Sequence, residues 1–192
     1  MTTIGITGGI GSGKSMVSAL LTVYGVPVYD ADRESKRLLV TSPTIRRGLT
    51  ALLGPDIYRP DGTVDRARMA SLIFADADLL ARVNTIIHPA VGDDFEAWRA
   101  HLGASACAME SAILFESGFD RRTDVRLTVY APEVIRLQRV MARDGAAEAD
   151  VRRRMQSQWT DERKAALSEA VITNDGLLAL IPQVEAFLNR WL

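Results

Sequence analysis

The 192 residues are 47% apolar and 24% charged, the proportions of a soluble globular chain with one core and room for a small attached lobe. With 23 basic and 24 acidic residues there is no global charge to draw nucleic acid or an anionic membrane, so any polyanion site has to be local. Cys107 is the only cysteine, which excludes an intrachain disulfide and a cysteine-built zinc site and fits a reducing cytoplasm with a buried structural thiol.

Thr3-Ile4-Gly5-Ile6-Thr7 is short, apolar and β-branched, the pattern of a buried strand. It runs into Gly8-Gly9-Ile10-Gly11-Ser12-Gly13-Lys14-Ser15, which fills every fixed position of G-x-x-x-x-G-K-[ST]. Beyond Lys14 the apolar period becomes helical, with Val17, Leu20, Leu21 and Tyr24 on one face and Gly25 as the stop. Strand, glycine loop and helix make a phosphate cradle: glycines let consecutive N–H groups turn inward, and the helix N-terminus adds partial positive charge. The backbone of Gly9, Ile10, Gly11, Ser12 and Gly13 would wrap the phosphates, and Lys14 would reach the β and γ groups. The Ser15 hydroxyl would take one position on a bridging magnesium ion. The dinucleotide fingerprint G-x-G-x-x-G is not met.

A second strand, residues 25–29, ends on Asp30-Ala31-Asp32. In an open parallel sheet the carboxyl ends of strands line the ligand crevice, so Asp32 can serve as the base that accepts the proton of an attacking hydroxyl. The competing role is to cap a helix over residues 33–40. Residues 41–102 show helical patterns and no strand. Ser42-Pro43 opens one helix, with Ile45, Leu49, Leu52 and Leu53 on a face. Asp65 opens a second, with Met69, Leu72, Ile73 and Phe74, and Asp76 a third, with Leu79, Leu80, Val83, Ile86 and Ile87. That third helix is predicted to break at His88-Pro89, before a further helix to about Leu102. So much helix between two strands exceeds a crossover and suggests a lobe that grips an acceptor, with His88 as a polar contact or a packed joint.

The third strand is expected over residues 104–109. Glu110 at its end is a candidate to hold magnesium through water, or a solvated or capping residue, and Glu116 either braces the fold or touches ligand. A fourth strand covers residues 126–130, and Pro132 starts a helix with Ile135, Leu137, Val140 and Met141 inward. Arg136, Arg139 and Arg143 lie on that helix at three- and four-residue steps and can project together. The turn at residues 144–147 and the run Arg152-Arg153-Arg154 describe a short lid bringing arginines to a phosphoryl group, against the plainer alternative of a solvated charged helix. A fifth strand, residues 170–173, ends in the turn Asn174-Asp175-Gly176. Leu177, Ile181, Val184, Leu188 and Trp191 then form the apolar stripe of a closing helix.

Taken together, ITGGIGSGKS, the YDAD after the second strand, IIHP, ILFE, QRVMARDG, RRRMQSQ and VITNDG resemble, in order and spacing, the dephospho-coenzyme A kinase family of the P-loop nucleoside-monophosphate-kinase-like group. The resemblance implies a five-stranded parallel sheet of order 2-3-1-4-5 flanked by helices, with core residues 1–40, 103–142 and 161–192, an acceptor-binding helical insertion over 41–102 and a lid over 143–160. It implies transfer of phosphate from ATP to the ribose 3'-hydroxyl of dephospho-coenzyme A, with magnesium, in the cytoplasm and without nucleic acid, membrane or an obligatory protein partner. Asp32 would be the base, with Lys14, Arg139 and Arg143 assisting the transfer. Asn174 and Arg143 would lie at the nucleotide, and His88, Glu116, Arg139 and Arg154, with Gln158, on the acceptor and lid side. Magnesium would fall to Ser15 and Glu110. Two departures stand out: Ala112 where many members carry a proline, which leaves the magnesium role open between Glu110 and Glu116, and Met16 where a Thr or Val is common. A kinase of another small acceptor, a nucleotide or shikimate, shares the loop and lid but does not need so long an insertion. A regulatory nucleotide switch would carry an N-K-x-D signature, which is missing here, and a non-catalytic nucleotide binder would not need intact Lys14, Ser15 and Asp32.

Overall fold

The computed structural model describes the backbone of residues 1–192 and all side chains except those of residues 74 and 75, so Phe74, expected on an apolar face, lies outside the described residues. The chain divides into a sheet unit, Met1–Asp30 with Leu102–Leu192, and a helical unit, Ala31–His101.

In the sheet unit β1 (Thr2–Thr7) leads through the glycine loop into α1 (Lys14–Val23), and β2 is Val28–Asp30. The chain re-enters with β3 (Ala106–Glu110). The five strands lie parallel in the order 2-3-1-4-5, once β4 (Val125–Tyr130) and β5 (Ala170–Thr173) are included. β1 is the central strand. Its Ile4 and Ile6 pack with Val17 and Leu21 of α1, Leu127 and Val129 of β4, and Val184 and Phe187 of the closing helix. Each such side chain contributes on the order of 1.5–3 kcal/mol by leaving water. The register sets Ile6, Asp30 and Glu110 level with one another, so the loops after β1, β2 and β3 leave the sheet at one edge. Cys107, in β3, is a fully buried thiol outside any disulfide, with its sulfur 3.9 Å from the Thr3 hydroxyl.

The helical unit holds α2 (Ala31–Thr41), α3 (Pro43–Leu53), α4 (Arg66–Ala75) and α5 (Ala77–Ala100). Its starts follow the expected caps: the Ser42, Asp65 and Asp76 side chains accept from the N–H groups of Ile45, Arg68 and Leu79. Ile45, Leu49, Ile57, Val83, Val91 and Phe95 make its apolar core. The predicted break at His88-Pro89 does not occur. α5 runs 24 residues with Pro89 inside it, and the expected further helix is its second half. Proline removes one N–H and biases its predecessor away from helix, but buried Val83, Ile87, Val91 and Phe95 fall on one helical face across that point, and their burial outweighs the local bias.

Three apolar expectations in the sheet unit also fail. Tyr24 closes α1 from its exposed side and donates its hydroxyl to Glu185 at 2.6 Å instead of packing inward. Leu177 and Ile181 are exposed because the closing helix, α9 (Leu180–Trp191), starts after Leu177 and buries Val184 and Phe187. The residues between β3 and α9 complete the unit: α6 (Glu133–Asp144), α7 (Glu148–Gln156) and the short α8 (Asp161–Ala166), which packs on β4.

Candidate active site

The glycine loop has the geometry of a phosphate cradle. Gly8, Gly11 and Gly13 have φ of 145°, 83° and 95°, a region that side chains disfavour. A Cβ on Gly8 would lie 2.3 Å from the Val129 carbonyl oxygen, and one on Gly11 2.6 Å from that of Arg136, so the loop backbone is pressed against β4 and α6. The N-terminus of α1 has no side-chain cap and no carboxylate in its first turn, which leaves its partial positive charge for an anion. The Lys14 ammonium donates to the carbonyl oxygens of Gly8 at 2.9 Å and Gly9 at 3.4 Å, which curls it over the loop. Ser15, next on α1, is exposed.

Around this loop the unit gathers several of the predicted residues. Asn174, held by its N–H on the Tyr130 carbonyl oxygen, turns its amide to donate to the Ser12 carbonyl oxygen at 2.8 Å. Gly13 has to be glycine there, since a Cβ would meet the Asn174 nitrogen at 2.1 Å. Arg139 donates to the Asn174 backbone and side-chain oxygens at 3.0 and 3.4 Å, so Arg139, Asn174 and the loop form one connected group. Ile10 N–H donates to Gln158 Oε1 at 3.1 Å and Gly9 N–H to Asp161 Oδ1 at 2.6 Å. Glu110 ends β3, level with Asp30 and Ile6, on the edge from which the loop departs.

The arginines expected to converge along α6 do not. Arg136 is buried, its Nε donating to the Ala131 carbonyl oxygen and lying 3.2 Å from Asp161 Oδ2. Arg143 is exposed and bound to Asp144 at 2.7 Å, and Arg154 reaches the same carboxylate at 3.0 Å. Those two guanidiniums, Arg143 first, hold the Asp144 carboxyl down at about 2. The rest of the basic run is likewise paired, Arg152 with Glu133 and Glu148, and Arg153 with Asp150. A cavity of about 340 Å³ opens beside these helices, lined by Glu133, Arg136, Arg152, Gln158, Trp159 and Thr160, and Arg136 and Gln158 join it to the loop.

Glu116 sits in a buried brace. Its Oε1 accepts the Trp159 N–H at 2.8 Å and lies 3.1 Å from the ammonium of fully buried Lys164, which also donates to the Ala112 carbonyl oxygen at 2.5 Å. Asp161 and Lys164 escaped the sequence reading. Three residues apart at the start of a charged helix, they look like an exposed pair, and only the packing of α8 on β4 turns that face inward. Burial pushes the Asp161 carboxyl up, against the pull of Arg136, the Gly9 N–H, Lys164 and Lys14.

The remaining predicted residues, Asp32 and His88, belong to the helical unit. Asp32 is in the first turn of α2 with Glu34. His88 is half-buried at mid-α5, and burial lowers its pKa. No cluster of three or more His, Cys, Asp or Glu able to hold a metal is found among the described residues, and no helix is long and apolar enough to cross a membrane.

A parallel 2-3-1-4-5 sheet whose central strand feeds a glycine loop, lysine and helix defines a P-loop kinase. The fold likeness agrees: a shikimate kinase from Acinetobacter baumannii superposes over 99% of the chain and 92% of its own length with a TM-score of 0.56 at 16% identity. Within that class, the dephospho-CoA kinase family profile matches residues 2–179, and the chain belongs to that family. Dephospho-CoA kinases from Porphyromonas gingivalis and Bacteroides fragilis are 50% identical over 188 residues and 45% over 182. These alignments cover 96% and 94% of this chain, and 91% and 88% of the relatives. A crystal structure from Thermus thermophilus covers the whole chain and 98% of its own, with a TM-score of 0.87 at 33% identity.

Proposed function

We propose that the protein transfers the γ-phosphoryl group of ATP to the ribose 3'-hydroxyl of dephospho-coenzyme A, giving coenzyme A and ADP. The observation that carries this reading is the glycine loop with Lys14 curled over it at the uncapped start of α1, in a chain of the dephospho-CoA kinase family. The acceptor oxygen attacks the γ phosphorus as the bond to the β–γ bridging oxygen breaks, and ADP departs with that electron pair. Asp32 takes the hydroxyl proton. Lys14 leaves its carbonyl partners for the β and γ oxygens, where its charge counts most as the bridging oxygen becomes anionic.

Arg139 and Asn174 fix the far side of the loop and the nucleotide, and Arg143 and Arg154, parked on Asp144, are released to the phosphates when nucleotide enters. Glu116 acts by holding the Trp159 backbone and Lys164, and His88 and the rest of residues 41–102 grip the acceptor. The donor types suit magnesium, which retains several waters and leans on substrate phosphates: Ser15, exposed in the first turn of α1, would offer a hydroxyl and Glu110, at the end of β3, a carboxylate. The ion, when bound, neutralises charge on the β and γ phosphates.

The test offers purified protein ATP, magnesium and an acceptor panel, and follows ADP release. Turnover dependent on dephospho-coenzyme A over AMP, CMP and shikimate is expected. Equal or greater turnover with another acceptor overturns the substrate assignment.

A further inference from the structure

One buried carboxylate in the sheet unit has no part in the steps above. Asp161, 1% exposed, takes the Gly9 N–H at 2.6 Å, while its other oxygen lies 3.2 Å from Arg136 Nε without accepting a hydrogen bond. That N–H belongs to the Gly8–Gly9 peptide, whose bond is trans, so the Gly8 carbonyl points the opposite way. There it accepts from the Lys14 ammonium at 2.9 Å. One peptide unit therefore runs from a buried anion at one end to the phosphate-binding cation at the other, and each hydrogen bond polarises the other. Gly9 has no room for a side chain here, because a Cβ would come within 2.3 Å of Arg136 Nη1 and 2.6 Å of Asp161 Oδ1. The Gly9 carbonyl in turn accepts from the Ser12 N–H at 3.1 Å, closing the loop's first turn.

We propose that Asp161 is a positioning residue for phosphoryl transfer: by fixing the Gly8–Gly9 peptide it sets the first turn of the phosphate loop and the place from which Lys14 swings to the nucleotide. The neighbouring Gln158, on Ile10 N–H, adds a second tie from the same segment, so residues 158–161 carry any movement of α7 to the loop backbone. Arg136, 3.2 Å from the second oxygen, holds the carboxylate in place. This inference rests on the proposed ATP site.

Two double variants of the full chain separate positioning from folding. Arg136→Met/Asp161→Asn and Arg136→Met/Asp161→Leu both delete the buried ion pair together, a change that cores often tolerate, but only asparagine keeps an oxygen for the Gly9 N–H. Melting temperatures within a few degrees of each other are expected. The asparagine pair should hold the ATP dissociation constant and kcat to within about threefold of wild type, and the leucine pair should lose about tenfold or more in each, the scale of one buried hydrogen bond. KM for dephospho-coenzyme A should stay within about twofold in both, which general loosening would not allow. Should the leucine pair fail to fold, Arg136→Met/Asp161→Ala takes its place under the same threshold. Equal ATP binding and kcat in the two pairs overturn the Asp161 assignment alone, whereas a wild-type chain that does not bind ATP overturns the site as well.

Discussion

In the sheet unit Arg136, Asp161 and Lys164 are buried at 7%, 1% and 0% exposure; Asp161 bonds the phosphate loop, Arg136 packs against it, and Lys164 follows Asp161 along α8. In the helical unit, among the described residues, no charged side chain is buried; its ions pair at the surface, as Arg37 does with Glu34 and Asp94, over a core of Ile45, Leu49, Val83, Val91 and Phe95. Burying charge is costly unless every charge is matched, and an apolar core of the same volume is often more stable. The sheet unit therefore gives up stability where atoms must be held to a fraction of an ångström, and the helical unit, built like any small bundle, does not. The two should respond differently to substitution.

The largest effect should come from Lys14→Met, expected to lower kcat by about a thousandfold, the upper range for losing one charge-stabilising group. Its melting temperature should stay near wild type, since half-buried Lys14 bonds loop carbonyls and Asp161, which also feels its charge, keeps Arg136. Retained kcat would mean the loop serves binding only. Lys164→Met is its mirror image. It strands Glu116 in a site where Oε2 already lacks a partner, so denaturant unfolding should show a loss of about 3 kcal/mol. A loss under about 1 kcal/mol would make that ion pair dispensable and the two units alike in this respect.

Asp32→Asn changes the proposed base, a residue of the helical unit. A drop in kcat of about a hundredfold with ATP binding intact is expected, the scale for a positioned base. Unchanged kcat would leave Asp32 as a residue of the first turn of α2 and nothing more. For His88 the effect is one of pH. Burial lowers its pKa from the usual 6.5, so the fold favours the neutral ring; the resulting stability is present above pH 6.5 and is lost as the pH falls through the lowered value. Unfolding midpoints of wild type and His88→Gln, measured from pH 7 to pH 5, should diverge in slope below pH 6.5, and parallel curves would contradict the burial. Arg37→Ala should matter least, below about 1 kcal/mol by thermal unfolding and less in high salt, because Arg37 is about half exposed and water can replace it on Glu34 and Asp94. A larger loss would show that surface pairs brace the helical unit after all.

The stretch from Thr3 through Ser15, the strands at residues 126–130 and 170–173, and the helix starts at Ser42, Asp65 and Asp76 were legible because each rests on neighbours in sequence. A glycine at positive φ, a β-branched run or a capping oxygen three residues ahead acts over one turn of chain. The roles of Arg136, Asp161 and Lys164 were not legible, since nothing local separates a buried charge from a solvated one. The same limit made Leu177 and Ile181 look like core and His88-Pro89 like a break.

By itself, then, the order of residues determined a phosphate loop between a strand and a helix, a parallel sheet, a helical insertion and the family to which the chain belongs. Tertiary structure alone decided which charges go inside, which oxygen meets the Gly9 N–H and how far α5 continues past Pro89. The reason is range. Backbone conformation is set largely within a few residues, whereas burial depends on which surface arrives from more than a hundred residues away, as Asp161 does at Gly9.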